Sequence, residues 1–289
     1  MRFADSPSPS PSRKREGDYW TAVDLARDLT ALGLDPGAIV MAHVGFRSVG
    51  RCINGADTLI AAIRQAIGSE GTLVVATDWH APYLEDDLLD DSGRVPAEWR
   101  EHISPFDPAT SRSMRDNGVF AEWMRTTRGA VRSRNPNCSV AAIGARAEWL
   151  IADQPLDYGY GPGSPLAKLL EAGGSVAMIG APGISMTLLH HAENLADVRG
   201  KIILREEIPY ATPEGTVWRM NEEYESSDAI VPGFSDDYFD DILADFVTTG
   251  QARAGKVGDA DTLLIDARAI VAFATGWIER AVAAQRPPN

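Results

Sequence analysis

The chain has 289 residues, 44% of them hydrophobic and 24% charged, which is ordinary globular usage and long enough for one large core. Its 41 acidic residues against 27 basic ones give a formal charge of −14; this sets the chain against nucleic acid and favours cationic ligands. No apolar run approaches the ~18 residues of a membrane span, and MRFADSPSPSPSRKRE lacks the apolar core of a secretory signal, so a cytoplasmic protein is expected.

The Ser/Pro alternation over 6–12 cannot bury enough apolar surface to offset its ordering entropy, so 1–16 are expected to be a disordered leader and 17–286 one domain. Helical spacing through Val23, Leu25, Leu29 and Leu32 predicts a helix over 19–32 capped by Gly33. A short apolar strand over 38–44 ends in His43, and the loop GFRSVG leads to a helix over 57–67. A strand over 72–77 follows. The polar stretch 78–113 is too long for a simple connector. A helix at 119–125, a strand at 139–144, a helix opened by Ser164-Pro165 and closed by Gly173-Gly174, and a strand at 175–180 continue the alternation. The loop APGISM then runs into a helix over 187–198. Strands at 201–209 and 216–221, joined by TPEG, read as a hairpin that makes the sheet mixed. Helices over 236–248 and 267–284 flank a short strand at 262–265. The expected fold class is α/β: a layered domain with a mixed central sheet flanked by helices.

Two cysteines, Cys52 and Cys138, fit neither a disulfide framework nor a zinc pattern and read as idle thiols. The segment TLLHHAENLA carries more chemistry. Residues three apart share a helix face, so His190 is expected beside Glu193, and a carboxylate that orients an imidazole makes it a general base near neutral pH. A structural His/Glu pair on an amphipathic helix is the bland alternative. His190 and His191 are adjacent and point apart, unlike zinc-protease spacings, so no metal is expected. In the loop after the first strand, Arg47, Ser48, Val49 and Gly50 could hold phosphate oxygens of a coenzyme, although the same loop reads equally as an ordinary turn.

Seven ordered blocks, MAHVGFRSVG, GTLVV, PFDPATSRSMRDNG, RSRNPNCSVAAIG, DYGYGPGSPLAKLL, MIGAPGISMTLLHHAENLA and VWRMNEEYESSD, together make the chain similar, over about 21–278, to the aminoglycoside 3-N-acetyltransferases. The resemblance implies that family's own antibiotic N-acetyltransferase fold. It implies acetyl-CoA as co-substrate and transfer of its acetyl group to the 3-amino group of the deoxystreptamine ring of aminoglycosides, conferring resistance. The alternative keeps the chemistry and changes the acceptor to another amine of secondary metabolism. By the same resemblance His190 is the catalytic histidine, with Glu193 and Glu223 as its acidic partners, while His191 has no chemical role. Arg132 and Ser133 are expected at the coenzyme, as is Thr187, whose hydroxyl could also steady the oxyanion. Asp78, Glu223 and Glu225 are the expected carboxylates for a polycationic substrate, and Trp79 and Tyr83 could stack on its sugar rings. Asn135 stands where many relatives carry His. Monomer and homodimer both remain open, and neither a membrane nor nucleic acid is an expected partner.

Overall fold

The computed structural model describes residues 19–79, 88–225, 229–232 and 238–285. The Ser/Pro-rich leader lies outside them.

Thr21 opens α1 (Ala22–Leu32) with a capping box: its hydroxyl accepts the Asp24 N–H, Asp24 accepts the Thr21 N–H, and Gly33 closes the helix in the left-handed region. Then follow β1 (Ile39–Val44), α2 (Ala56–Ile67) and β2 (Thr72–Ala76). The middle of the chain supplies α3 (Gly118–Thr126), β3 (Val131–Arg132), β4 (Val140–Gly144), α4 (Ala147–Ile151), α5 (Pro165–Glu171) and β5 (Ser175–Ile179). Last come α6 (Leu188–Leu195), β6 (Ile203–Thr212), β7 (Gly215–Tyr224), α7 (Tyr238–Thr248), β8 (Arg253–Val257), β9 (Ala260–Asp266) and α8 (Ala267–Gln285).

Among the described residues, seven strands form one sheet in the order β3-β4-β2-β1-β5-β9-β8. Its centre is parallel, with β1 between β2 and β5, and its flanks are antiparallel through β4 and β9. The central strands are buried on both faces, which is why IVMAHV and TLVVA read as continuous apolar runs rather than alternating ones. One face packs Val40, Ala42 and Leu73 against α1, α2 and α3. The other packs Ile39, Met41 and Val74 against α5, α6, α7 and α8.

Alternation therefore puts His43, two residues beyond Met41, on the face that carries α6. The chain leaving β1 enters α2 on one face, whereas the chain leaving β5 enters α6 on the other. Adjacent parallel strands whose connections diverge in this way leave a crevice beyond their carboxyl ends, the usual place for a ligand in an open α/β sheet.

The expected hairpin forms as β6 and β7 but does not join the central sheet; it is a separate two-stranded ribbon. Its edges are occupied by loops. The Glu207 N–H donates to Gly93, Phe106 brackets Pro209 and Ala211, and the Tyr158 N–H donates to Glu222. Loops thus satisfy edge groups that a sheet neighbour would otherwise take. The mixed character of the main sheet comes instead from β4, β3, β9 and β8. β8 was not expected, because RAGKV is exposed at four of five positions and carries no apolar pattern; pairing with β9 makes it a strand. Val23, expected to face inward, is 57% exposed, and Ala26 is buried in α1 beside Leu25 and Leu29. The long segment after β2 holds only a 3-10 turn, Ala97–His102, within the described stretch 88–114.

Candidate active site

The crevice beyond β1, β2 and β5 is a cleft of about 950 Å3. The 3-10 turn Phe46–Val49 bounds one side, and the segment entering α6 bounds the other. The hairpin closes the cleft across from them. Leu204 pairs with Glu223 and Glu206 with Asn221, so period-two alternation points all four residues inward.

On α6 the three-residue spacing works as expected: His190 Nδ1 lies 2.6 Å from Glu193 Oε2. Glu193 is buried behind the imidazole, and burial pushes its carboxyl pKa up against the opposing pull of His190. The Tyr160 ring stacks on His190 at 5.0 Å between centroids and 20° between planes, and Phe239 approaches it at 4.9 Å. With Nδ1 held by the carboxylate and the ring held by aromatic faces, Nε2 is the nitrogen left to act in the cleft. His191 points the other way and bonds through Nδ1 to the Tyr160 carbonyl at 2.7 Å.

Glu223 is 7% exposed. Its Oε2 accepts from Cys138 Sγ at 3.0 Å and from the Gly159 N–H, and its Oε1 accepts the Tyr224 N–H at 3.0 Å. Burial raises its pKa, while these donors and His190 pull it back. Asp78, just beyond β2, accepts from Asn117 Nδ2 at 3.1 Å and is likewise raised by burial, with the charges of His190 and Arg132 opposing. Two carboxylates from separate elements thus face one imidazole.

The other sequence-predicted residues separate into those on the cleft and those behind it. Arg47, Ser48, Trp79 and Thr187 line it. Trp79 is held against Phe106, 5.6 Å between ring centroids, within a small apolar cluster that includes Val95 and Trp218. Val49 is fully buried in the α1/α2 core, and a Cβ on Gly50 would sit 2.0 Å from Asp259, so neither opens onto the cleft. Ser133 is spent on the β3–β4 ladder, its hydroxyl accepting the Val140 N–H at 3.0 Å. Arg132 is a buried strut: it donates to Ser139 Oγ and to the carbonyls of Ser111 and Thr77, the last immediately before Asp78. Burial lowers its pKa to about 10. Glu225 lies off the cleft wall, although its charge reaches Glu193. Tyr83 lies outside the described residues.

Asn135 also works from behind. Its amide donates to Pro155 and Leu156 carbonyls and accepts the Cys138 N–H, tying down the loop that delivers Gly159 to Glu223. His43, Asn117, Tyr160, Glu206 and Asn221 line the cleft without having been singled out. Only the strand alternation around Glu223 could have pointed to Asn221, and through its pairing to Glu206.

The family model described as aminoglycoside 3-N-acetyltransferase matches residues 41–279. The chain is 41% identical to aminoglycoside N(3)-acetyltransferase VII of Streptomyces paromomycinus over 96% of this chain and 97% of that protein. Among solved structures, the AAC-IIIb binary complex with CoASH has a TM-score of 0.90 at 54% identity, covering 93% of this chain and 100% of that one. AAC-VIa bound to sisomicin has a TM-score of 0.85 at 32% identity, covering 91% and 99%. With a match over most of its length, the same fold and a part-buried His–Glu pair at the mouth of the sheet, the chain belongs to the aminoglycoside 3-N-acetyltransferase family.

Proposed function

We propose that this protein transfers the acetyl group of acetyl-CoA to the 3-amino group of the deoxystreptamine ring of an aminoglycoside, directly and within a ternary complex. The observation that carries the reading is the 2.6 Å His190–Glu193 pair, with Glu193 buried behind an imidazole that opens on the cleft where Asp78 and Glu223 also reach it.

An amine attacks a thioester only as the free base and sheds a further proton as the carbon–nitrogen bond forms, so the site must accept that proton and hold the nucleophile in line. His190 Nε2 takes that proton. Glu193, fixed on Nδ1, keeps the tautomer with a free Nε2 and offsets the positive charge that appears on the ring. Asp78 and Glu223 hold ammonium groups of the acceptor; the hydrogen bonds each already accepts leave the carboxylate anchored rather than swinging.

The crevice between the Phe46–Val49 turn and the start of α6 suits the coenzyme. Arg47 and Ser48 offer a cation and a hydroxyl at one edge, and Val119 and Ile184, 44% and 45% exposed, offer apolar walls for an extended arm. Thr187 stands on the same side.

The test is release of the CoA thiol, followed with a thiol-reactive dye, when the protein meets acetyl-CoA and gentamicin, kanamycin or neomycin. Release that depends on one of these amines, with acetylation at the 3-amino position of the product, is the expected result. A burst of CoA from enzyme lacking any amine would instead show an acyl-enzyme and overturn the direct transfer.

A further inference from the structure

His43 stands at the carboxyl end of β1, the strand at the centre of the parallel set, and its side chain is 7% exposed on the wall of the cleft. Its Nε2 is buried without a hydrogen-bond partner among the described residues. Buried polar nitrogens are satisfied in the great majority of cases, so an orphan on the wall of a ligand cleft points to a partner carried by the ligand. Burial, with the nearby charge of His190 adding to it, lowers the His43 pKa to about 4. The ring is therefore neutral at working pH, and the proton that His190 gains during turnover keeps it so; in the tautomer that carries the proton on Nε2, it is a donor. A neutral imidazole N–H beside a reacting carbonyl polarises it without introducing a charge that would have to be desolvated.

We propose that His43 is a second catalytic imidazole, which donates an N–H to the carbonyl oxygen of the acetyl group while His190 acts as base. The inference rests on the acetyltransferase reading above. In the step it serves, the nitrogen of a neutral amine forms a bond to the acetyl carbon, and the π electrons of the carbonyl move to oxygen, where the His43 N–H receives the charge. The amine proton passes to His190 Nε2. Collapse of the adduct restores the carbonyl, breaks the carbon–sulfur bond, and returns the proton from His190 to the CoA thiolate. Asp78, Glu193 and Glu223 are carboxylates whose charges act on His190, so they stabilise the cation there rather than the oxyanion; Asp116 and Glu206 also line the cleft. The neutral ring is therefore a side chain suited to oxygen, and the Thr187 hydroxyl lines the same cleft.

The experiment is isotope-edited infrared spectroscopy of acetyl-CoA carrying 13C at the acetyl carbonyl, bound to the full-length enzyme, to His43→Phe and to His43→Gln. The bound carbonyl stretch is expected to fall below its value in solution in the wild type and in His190→Ala, to return toward it in His43→Phe, and to be partly lowered in His43→Gln, which keeps an N–H donor. In parallel, His43→Phe should lower kcat by about 10²–10³-fold at little changed aminoglycoside KM. Its thermal midpoint should stay level or rise, because the variant removes an unsatisfied buried nitrogen. Binding of acetyl-CoA with the same carbonyl stretch in the wild type and His43→Phe would overturn this inference alone. Loss of activity that merely follows loss of the folded state would assign His43 to packing and overturn it too. Failure of the wild type to bind acetyl-CoA in calorimetry would overturn the acetyltransferase reading, and this inference with it.

Discussion

At the scale of single residues, two neighbouring histidines separate chemistry from structure. His190 faces the cleft with its Nδ1 held by Glu193, whereas His191 is 3% exposed and spends its Nδ1 on the Tyr160 carbonyl. His190→Ala should therefore reduce kcat by about 10²–10⁴-fold with little change in thermal midpoint. His191→Ala should do the reverse, costing about 1–3 kcal/mol of stability through an unpaired buried carbonyl while leaving most of kcat. Steady-state kinetics with a melting curve on each variant checks this, and equal activity losses would remove the assignment. The carboxylates bring a second expectation. Burial raises the pKa of both Asp78 and Glu223, so as pH falls they take up protons sooner than ordinary carboxylates and lose the charge that holds an ammonium. The aminoglycoside KM should rise on the acid side, starting above the usual carboxylate range. A KM that stays flat between about pH 8 and pH 5 would deny them this role.

At the scale of elements, the cleft exists because β1 and β5 run side by side and then part. Gly45 marks the parting: its N–H donates to Ile179 at 2.9 Å, and a Cβ there would lie 2.1 Å from the Gly180 carbonyl oxygen. Backbone cannot give way like the end of a side chain. Gly45→Ala should pry the two strand ends apart, lowering stability by about 1–3 kcal/mol and raising the KM for acetyl-CoA more than that for the aminoglycoside. Calorimetric melting and two substrate titrations measure both effects; an unchanged coenzyme KM would separate this approach from the coenzyme side of the cleft. The β6–β7 ribbon plays the complementary part, carrying Glu206, Asn221 and Glu223 on the face opposite the sheet crevice. Its outer face binds itself together through Arg205 and Glu222 at 2.8 Å.

At the scale of the whole molecule, the formal charge of −14 surrounds a cleft that itself presents carboxylates. Long-range attraction of a polycation is screened over about 8 Å at physiological ionic strength, so added salt should raise the aminoglycoside KM while the KM for anionic acetyl-CoA stays level or falls. Titrations of each substrate across a salt series give the answer, and parallel rises in both constants would show a general salt effect rather than steering. Among the described residues, no helix is long and apolar enough to cross a membrane.

The sequence by itself determined what depends on short-range geometry and on pattern. Helical period placed His190 beside Glu193, continuous apolar runs marked the doubly covered strands, and the ordered blocks pointed to the family before any coordinate did. What only the tertiary structure decided depends on contacts between distant segments. Val49 and Ser133 look equally eligible for a site when read along the chain, yet one is core and the other completes a ladder. Glu222, Glu223 and Glu225 form one acidic run in sequence, but pleating turns Glu222 outward to Arg205 and Glu223 inward to Cys138 and Gly159. Along the chain His43 is merely the next-to-last residue of a strand; in the folded interior its ring is buried, its Nε2 has no partner among the described residues, and burial, with the nearby His190 adding to it, suppresses its charge. Burial and through-space charge are properties of the assembled interior, and one-dimensional spacing does not carry them.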